Sequence, residues 1–186
     1  MGYVFDPDRL HAIGRAAIGL PPEEMLATVE RGLQEAYPGQ VHTDQRFLWS
    51  LFGGTTGMMK VFHASVSEYL TLFGSALGTN GFSGRYPLTI YDTVLCGEMG
   101  CYSADRPFEP VAYRPGDHAC LDRLRVKGWA LAPGTWMLEY GRGFMPASLP
   151  GALAGALTSA FDPITVADTL SVYGRLTLRK LLGRGA

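Results

Sequence analysis

The chain has 186 residues, a net charge of -1, 47% hydrophobic and 18% charged residues. That length fits one domain with a sizeable core, and the near-neutral charge offers no footprint for nucleic acid. The three cysteines, Cys96, Cys101 and Cys120, are an odd number without paired zinc spacing, so neither a disulfide framework nor a structural metal site is indicated.

Met1 to Phe5 runs straight into charged Asp6, Asp8 and Arg9, which is not the pattern of a signal peptide. Asp6-Pro7 then reads as a helix start, with Leu10, Ile13, Ala17 and Ile18 on one side and Gly19 as the stop. A second helix opens at Pro21-Pro22-Glu23-Glu24, carries Met25, Leu26, Val29 and Leu33 at helical spacing, and ends at Tyr37-Pro38-Gly39.

From about Phe47 the pattern changes to short aromatic and aliphatic runs punctuated by Gly, Pro and Asn. Strands are predicted at Phe47–Phe52, Met58–Ala64, Glu68–Leu77, Leu88–Leu95, Val111–Tyr113, Ala119–Val126 and Thr135–Tyr140. Turns are predicted at Gly53-Gly54, Thr79-Asn80-Gly81, Pro115-Gly116-Asp117, Pro133-Gly134 and Gly141-Arg142-Gly143. No crossover helices separate these strands, so an antiparallel barrel or jelly roll fits better than a parallel sheet. Phe144 to Phe161 carries no charge, but Pro146 and Pro150 interrupt it and leave a helical piece too short to cross a bilayer. Asp162-Pro163 repeats the cap of Asp6-Pro7 and starts a last helix bearing Arg175, Arg179, Lys180 and Arg184. Such a basic amphipathic end either lies on an anionic membrane surface or packs on the barrel with its charges solvated.

Two carboxylates fall in apolar rows. Strand alternation in Trp136-Met137-Leu138-Glu139-Tyr140 puts Met137 and Glu139 on one face and the three bulkier residues on the other. Asp92 shares a face with Ile90 and Val94 in the same manner. If both faces line one interior, the two acids share a dry cavity, cannot both ionise cheaply, and hold one proton between them near neutral pH. Otherwise Glu139 sits at an exposed edge or pairs with Arg142, and Asp92 binds a turn. His63 and Glu68 together suggest a metal, but a single histidine there is more often a hydrogen-bonded core residue; His11, His42 and His118 do not cluster with it. Ser65, Ser67 and Ser83 lack a nucleophile-elbow context, and the glycines of Gly74 to Gly81 do not open a helix as a phosphate loop would.

His63 to Gly78, followed by Ser83-Gly84-Arg85-Tyr86, resembles the signature of the fungal sterol delta-8 to delta-7 isomerases and the type-1 sigma receptor, and Thr135 to Gly143 is similar to a second block of that family. The resemblance runs from about Val4 to the C-terminus. It implies one domain: N-terminal helices over 1–38, a cupin-like barrel over 39–143, and over 144–186 two C-terminal helices that cover the barrel mouth and face a membrane. The fold class is therefore mainly β with flanking helices. The family's pocket acids fall on Asp92 and Glu139, and its apolar lining on Met59, Val61, Tyr69, Phe73, Tyr86, Ile90, Leu149, Ala152 and Tyr173. Thr55 and Leu131 stand where the receptor has tryptophan, a departure that bears on ligand preference.

What the resemblance implies for function is double-bond isomerisation of a sterol by protonation and deprotonation through the paired acids, with no cofactor and no metal. The alternative is a non-catalytic, sigma receptor-like protein that binds sterols and hydrophobic amines. The implied partners are that ligand, a membrane surface met through the C-terminal helices and, from the receptor branch, two further copies in a homotrimer; nucleic acid is not among them. Eukaryotic members begin with a transmembrane helix, and this chain starts where that helix would end. The expected location is peripheral on a membrane, facing the cytoplasm or an endoplasmic-reticulum-like compartment.

Overall fold

Asp6 begins the first helix through its side chain, which accepts a hydrogen bond from the Arg9 backbone N–H at 2.9 Å. Pro7 follows at the first helical position of α1 (Pro7–Arg15). In α2 (Pro22–Ala36) the buried residues are Met25, Val29 and Leu33, a single stripe at i, i+4, i+8. The computed structural model describes residues 2–183. Arg184, the last of the basic residues noted above, lies outside the described residues.

Among the described residues ten antiparallel strands follow: β1 (Leu48–Phe52), β2 (Thr55–Ala64), β3 (Glu68–Ser75), β4 (Thr79–Phe82), β5 (Leu88–Cys96), β6 (Met99–Ser103), β7 (Arg106–Tyr113), β8 (His118–Leu121), β9 (Gly128–Leu131) and β10 (Thr135–Gly143). They form a six-stranded sheet in the order β1-β2-β3-β10-β5-β8 and a four-stranded sheet in the order β4-β9-β6-β7. The expected mainly β, cupin-like fold with flanking helices is the one the chain adopts, as two separate sheets rather than one closed barrel. Two helices, α3 (Leu149–Thr158) and α4 (Pro163–Leu181), come last, the second capped by Asp162, which accepts from the N–H groups of Ile164 and Thr165. Among the described residues no helix is long and apolar enough to cross a membrane.

Several strand boundaries differ from the sequence reading, each for a physical reason. Thr79-Asn80-Gly81 is strand β4, not a turn, and pairs with β9. Its glycine serves close approach: a Cβ on Gly81 would lie 2.4 Å from the Gly53 carbonyl oxygen in the β1–β2 turn. Gly78, at φ +79°, makes the reversal instead. The predicted strand Ala119–Val126 stops at Leu121, because Leu124 takes a left-handed conformation at φ 61° and the chain restarts as β9 at Gly128. Strand β6 buries Met99 and Cys101 alternately, but it is short and contains Gly100, which blurs the pattern in sequence, while β7 is exposed along nearly its whole length and lacks the alternation that marks a half-buried strand. Gly141 to Gly143 is not a turn: β10 continues through it, paired with β3 and with β5.

The larger sheet is covered on both faces at its centre, and every residue of β3 is buried. On one face, Leu70, Leu72, Leu138 and Tyr140 pack with Leu10, Val29 and Leu33 of the N-terminal helices. On the other, Met59, Phe73, Val94 and Met137 pack with Met99, Trp129 and Leu131 of the smaller sheet and with Val172 and Leu176 of α4. Glu68 ties the N-terminus to this frame. Its carboxylate, 1% exposed, accepts from the N–H of Val4 at 2.8 Å, the N–H of Phe5 at 3.4 Å and the hydroxyl of Tyr140 at 2.9 Å. His63, its neighbour in the sequence reading, instead donates from Nδ1 to the Gln40 carbonyl at 2.8 Å and packs on Phe5.

Replacing Glu68 by Gln swaps an ionised acceptor of three hydrogen bonds for a neutral one and should cost about 2–3 kcal/mol of stability, with Tyr140→Phe costing about 1 kcal/mol. Urea denaturation of the two variants checks this; equal and negligible losses would mean that the N-terminal segment is not fastened through Glu68.

Candidate active site

The second face of the larger sheet, the smaller sheet and the two C-terminal helices enclose a largely apolar cavity. Alternation along β10 delivers Met137 and Glu139 into it, and alternation along β5 delivers Ile90 and Asp92. In the β5–β10 ladder Glu139 and Asp92 are direct cross-strand partners, so the two carboxylates meet side by side. Met59 comes from β2, Tyr69 and Phe73 from β3, Tyr86 from the loop before β5, Leu149 and Ala152 from α3, and Tyr173 from α4; all of them line the cavity. Val61 does not. It is fully buried in the apolar cluster shared with Val172 and Leu176, so its expected place in the lining is corrected to one in the core behind it. Thr55 lines the cavity, whereas Leu131 belongs to that same core.

Glu139 accepts a hydrogen bond from the Tyr69 hydroxyl at 2.5 Å. The approach depends on Gly141, which faces Tyr69 across the β3–β10 ladder: a Cβ there would sit 2.0 Å from the tyrosine ring. Among the described residues Tyr69 is the single donor to Glu139, in contrast to the three donors that serve Glu68. Arg142, three residues beyond Glu139, faces the other way: it donates to the Tyr91 hydroxyl at 2.6 Å and lies over the rings of Tyr3 and Tyr91.

One functional side chain was absent from the sequence reading. Lys127, just before β9, donates from Nζ to Asp92 Oδ2 at 2.9 Å, with side-chain exposures of 14% for the lysine and 3% for the aspartate. Its backbone is held by Ser83: the Lys127 N–H donates to Ser83 Oγ at 2.9 Å and the Ser83 N–H to the Lys127 carbonyl at 3.0 Å. A signal existed in the period-two row Lys127, Trp129, Leu131, whose other two members are core residues. Extending the previous strand only to Val126 hid it. Asp92 Oδ1 is buried without a hydrogen-bond partner among the described residues, as is Trp129 Nε1, and both residues line the cavity.

The electrostatics follow from this geometry. Burial, then the neighbouring Asp92 charge, push the Glu139 carboxyl up to about 7, against smaller opposing effects of the Tyr69 hydrogen bond and Lys127. Desolvation pulls Lys127 down, but the charge and hydrogen bond of Asp92 together with Cys101 and Glu139 outweigh it, and the ammonium is held above its ordinary value. Burial and the Glu139 charge raise both Tyr69 and Tyr173, which remain neutral. The site therefore holds a fixed Asp92–Lys127 ion pair beside one carboxylic acid that changes charge near neutrality.

The model of the family described as ERG2 and Sigma1 receptor like protein matches residues 1–184. The chain belongs to that family. Curated relatives of this ERG2/Sigma1 receptor-like chain include the sigma non-opioid intracellular receptor 1 of Xenopus tropicalis, 35% identical over 178 residues, which are 95% of this chain and 80% of the receptor. The C-8 sterol isomerase erg2 of Aspergillus fumigatus is 33% identical over 186 residues, 98% of this chain and 77% of the isomerase. The protein erg2 homolog of Dictyostelium discoideum is 32% identical, covering 96% of this chain and 76% of that protein. Among solved structures, a predicted oxalate decarboxylase from Thermotoga maritima overlays 55% of the chain and 97% of its own at TM-score 0.43 and 13% identity. The Schizosaccharomyces pombe Cnp3 cupin domain overlays 52% of the chain and 68% of its own at TM-score 0.41 and 10% identity. Likenesses of that size carry no argument about the site of the ERG2/Sigma1 receptor-like chain.

A carboxyl raised from 4.5 to about 7 on folding stabilises the protein least when ionised. The folded state holds the proton more tightly, so stability relative to a non-titrating variant is full below about pH 4.5 and is lost as pH rises through about 7. Glu139→Gln should therefore match the parent near pH 4.5 and exceed it by about 3 kcal/mol at pH 8. Thermal unfolding of both proteins across that range checks it, and a constant difference would mean that Glu139 titrates normally.

Proposed function

We propose that this chain is a cofactor-independent sterol isomerase that moves a ring double bond from the delta-8 to the delta-7 position. The observation that supports it most is the meeting, in one apolar cavity, of an acid that titrates near neutral pH with a carboxylate that forms an ion pair with a lysine at 2.9 Å. The naming of relatives as C-8 sterol isomerase supports the substrate class.

In this reading Glu139 is the proton donor and Asp92 the acceptor. Glu139 gives its proton to one carbon of the double bond, whose π electrons form the new C–H bond and leave a carbocation on the other carbon. Asp92, whose Oδ1 has no hydrogen-bond partner, removes a proton from the carbon beside the cation, and that C–H pair becomes the new double bond. Exchange with solvent, by which Asp92 loses the abstracted proton and Glu139 takes one up, resets the site with no net change in protons. The negative charge that develops on Glu139 is met by the Tyr69 hydroxyl, and the cation sits among carboxylates in a low-dielectric space.

Turnover of a delta-8 sterol in deuterated water should place deuterium at the position that gains hydrogen. Glu139→Gln and Asp92→Asn should each lower turnover at least a hundredfold, and Tyr69→Phe by about tenfold, with its optimum moved to higher pH because a hydrogen bond favouring the carboxylate is lost. Sterol binding with neither product nor deuterium uptake would instead establish the second reading, a binding protein for sterols and hydrophobic amines. The similarity to receptors named sigma non-opioid intracellular receptor 1 supports that alternative.

The proposal extends to peripheral membrane association through the C-terminal helices. Leu157, Phe161, Ile164, Leu178, Leu181 and Leu182 are all exposed there, Phe161 at 82%. Two of the basic residues of α4 are engaged with the segment between α2 and β1 instead, Arg175 donating to Gln45 and Lys180 to Gln40. The apolar residues are thus the better target, and Phe161→Ser with Ile164→Ser should reduce co-sedimentation with liposomes severalfold while leaving the fold intact. Unchanged sedimentation would remove the membrane from the proposal.

A further inference from the structure

Lys127 is a costly residue to place where it is. A buried lysine must be paired, and pairing it with a buried aspartate seldom stabilises a protein more than two apolar side chains would. Here the pair is nonetheless built with care: Ser83 fixes the Lys127 backbone on both its N–H and its carbonyl, and the ammonium lies 2.9 Å from Asp92 inside the cavity. Among the described residues lining that cavity, the charged ones are Asp92, Lys127 and Glu139.

We propose that Lys127 is a specificity-determining residue whose ammonium occupies the counter-ion position of Asp92, so that the cavity selects uncharged lipids over hydrophobic cations. This rests on the reading of the cavity as the lipid site.

Charge counting gives the mechanism. With Glu139 protonated, the cavity carries one positive and one negative charge and is neutral. A ligand ammonium entering then meets a fixed ammonium and finds no uncompensated carboxylate, a repulsion that a low-dielectric interior amplifies. Only after Glu139 ionises does the cavity carry the net negative charge that a cation needs. The groups facing Glu139 are Tyr69 on β3, Asp92 on β5, Lys127 before β9 and Tyr173 on α4; the two tyrosines are raised and stay neutral, and Cys101 on β6 lies beside Lys127. Glu139 is thus the group that switches, and binding of a permanent cation is linked to loss of its proton. An uncharged sterol requires no such change. Without Lys127, Asp92 and Glu139 would share one proton, and one carboxylate would be ionised at any pH near neutrality.

The test uses two probes: dodecyltrimethylammonium below its micelle concentration, whose charge does not titrate, and the uncharged fluorescent sterol dehydroergosterol. Their affinities are measured at pH 6 and pH 8 on the whole chain. In the parent protein the quaternary ammonium should bind about tenfold tighter at pH 8 than at pH 6, following ionisation of Glu139, while sterol affinity stays level. In Lys127→Met the quaternary ammonium should bind at least tenfold tighter than in the parent at pH 6 and lose its pH dependence. The double variant Asp92→Asn/Lys127→Met, which removes the pair as a unit and leaves no orphaned charge, should return to weak binding at pH 6. A level pH profile for the quaternary ammonium in the parent protein overturns the inference without reliance on any variant, as does an affinity in Lys127→Met no higher than the parent's at pH 6. If dehydroergosterol binds and only these outcomes fail, Lys127 alone has been misassigned. If the sterol binds to none of the proteins, the lipid-site reading falls and takes the inference with it.

Discussion

Strand β10 has a neighbour on each edge and a packed layer on each face, so its central side chains are turned towards one of two packed layers. An acid placed on such a strand is largely cut off from water, and the protein must answer it from within. The answer is a crossed arrangement with β3. Tyr140 of β10 donates to Glu68 of β3 on the helix-covered face, and Tyr69 of β3 donates to Glu139 of β10 on the cavity face. Two consecutive residues on each strand form two tyrosine–glutamate pairs on opposite sides of one sheet.

What separates the pairs is the number of donors. Glu68 receives two backbone N–H groups in addition to its tyrosine and acts as a clamp for the chain's first residues. Glu139 receives Tyr69 alone, faces Asp92 across the ladder, and is raised by burial and by that negative charge into the range where a proton comes and goes. Asp92 differs again, because Lys127 supplies a full counter-charge. Three inward-facing carboxylates on neighbouring strands thus have three roles, decided by whether the answering group is a set of donors, a single hydroxyl or a cation.

The alternation of Trp136 to Tyr140 and of Ile90 to Val94 placed both acids on the correct faces, because period two is a property of any strand regardless of its partners. The helix caps at Asp6 and Asp162 were equally legible, since a cap is settled within a few residues of chain. Failures came where the cause lay outside the local segment. Thr79-Asn80-Gly81 has turn composition, yet its glycine answers the close approach of the Gly53 carbonyl from another hairpin. Val61 has the same parity and apolar character as Met59, and only the docking of α4 separates a lining residue from a core residue. Gly141 to Gly143 has turn composition, yet β10 continues through it, and continued alternation carries the Arg142 guanidinium away from Glu139 to Tyr91.

The family, the two acids and the side of each strand on which they stand are contained in the order of residues, because motif spacing and side-chain parity are local and survive without knowledge of the fold. The register that makes Glu139 and Asp92 cross-strand partners, the Gly141 gap that admits Tyr69, and the ion pair formed by Lys127 are settled only in three dimensions. They depend on which distant segments meet, and a charge or a proton affinity inside a protein is fixed by those neighbours and not by the residue alone.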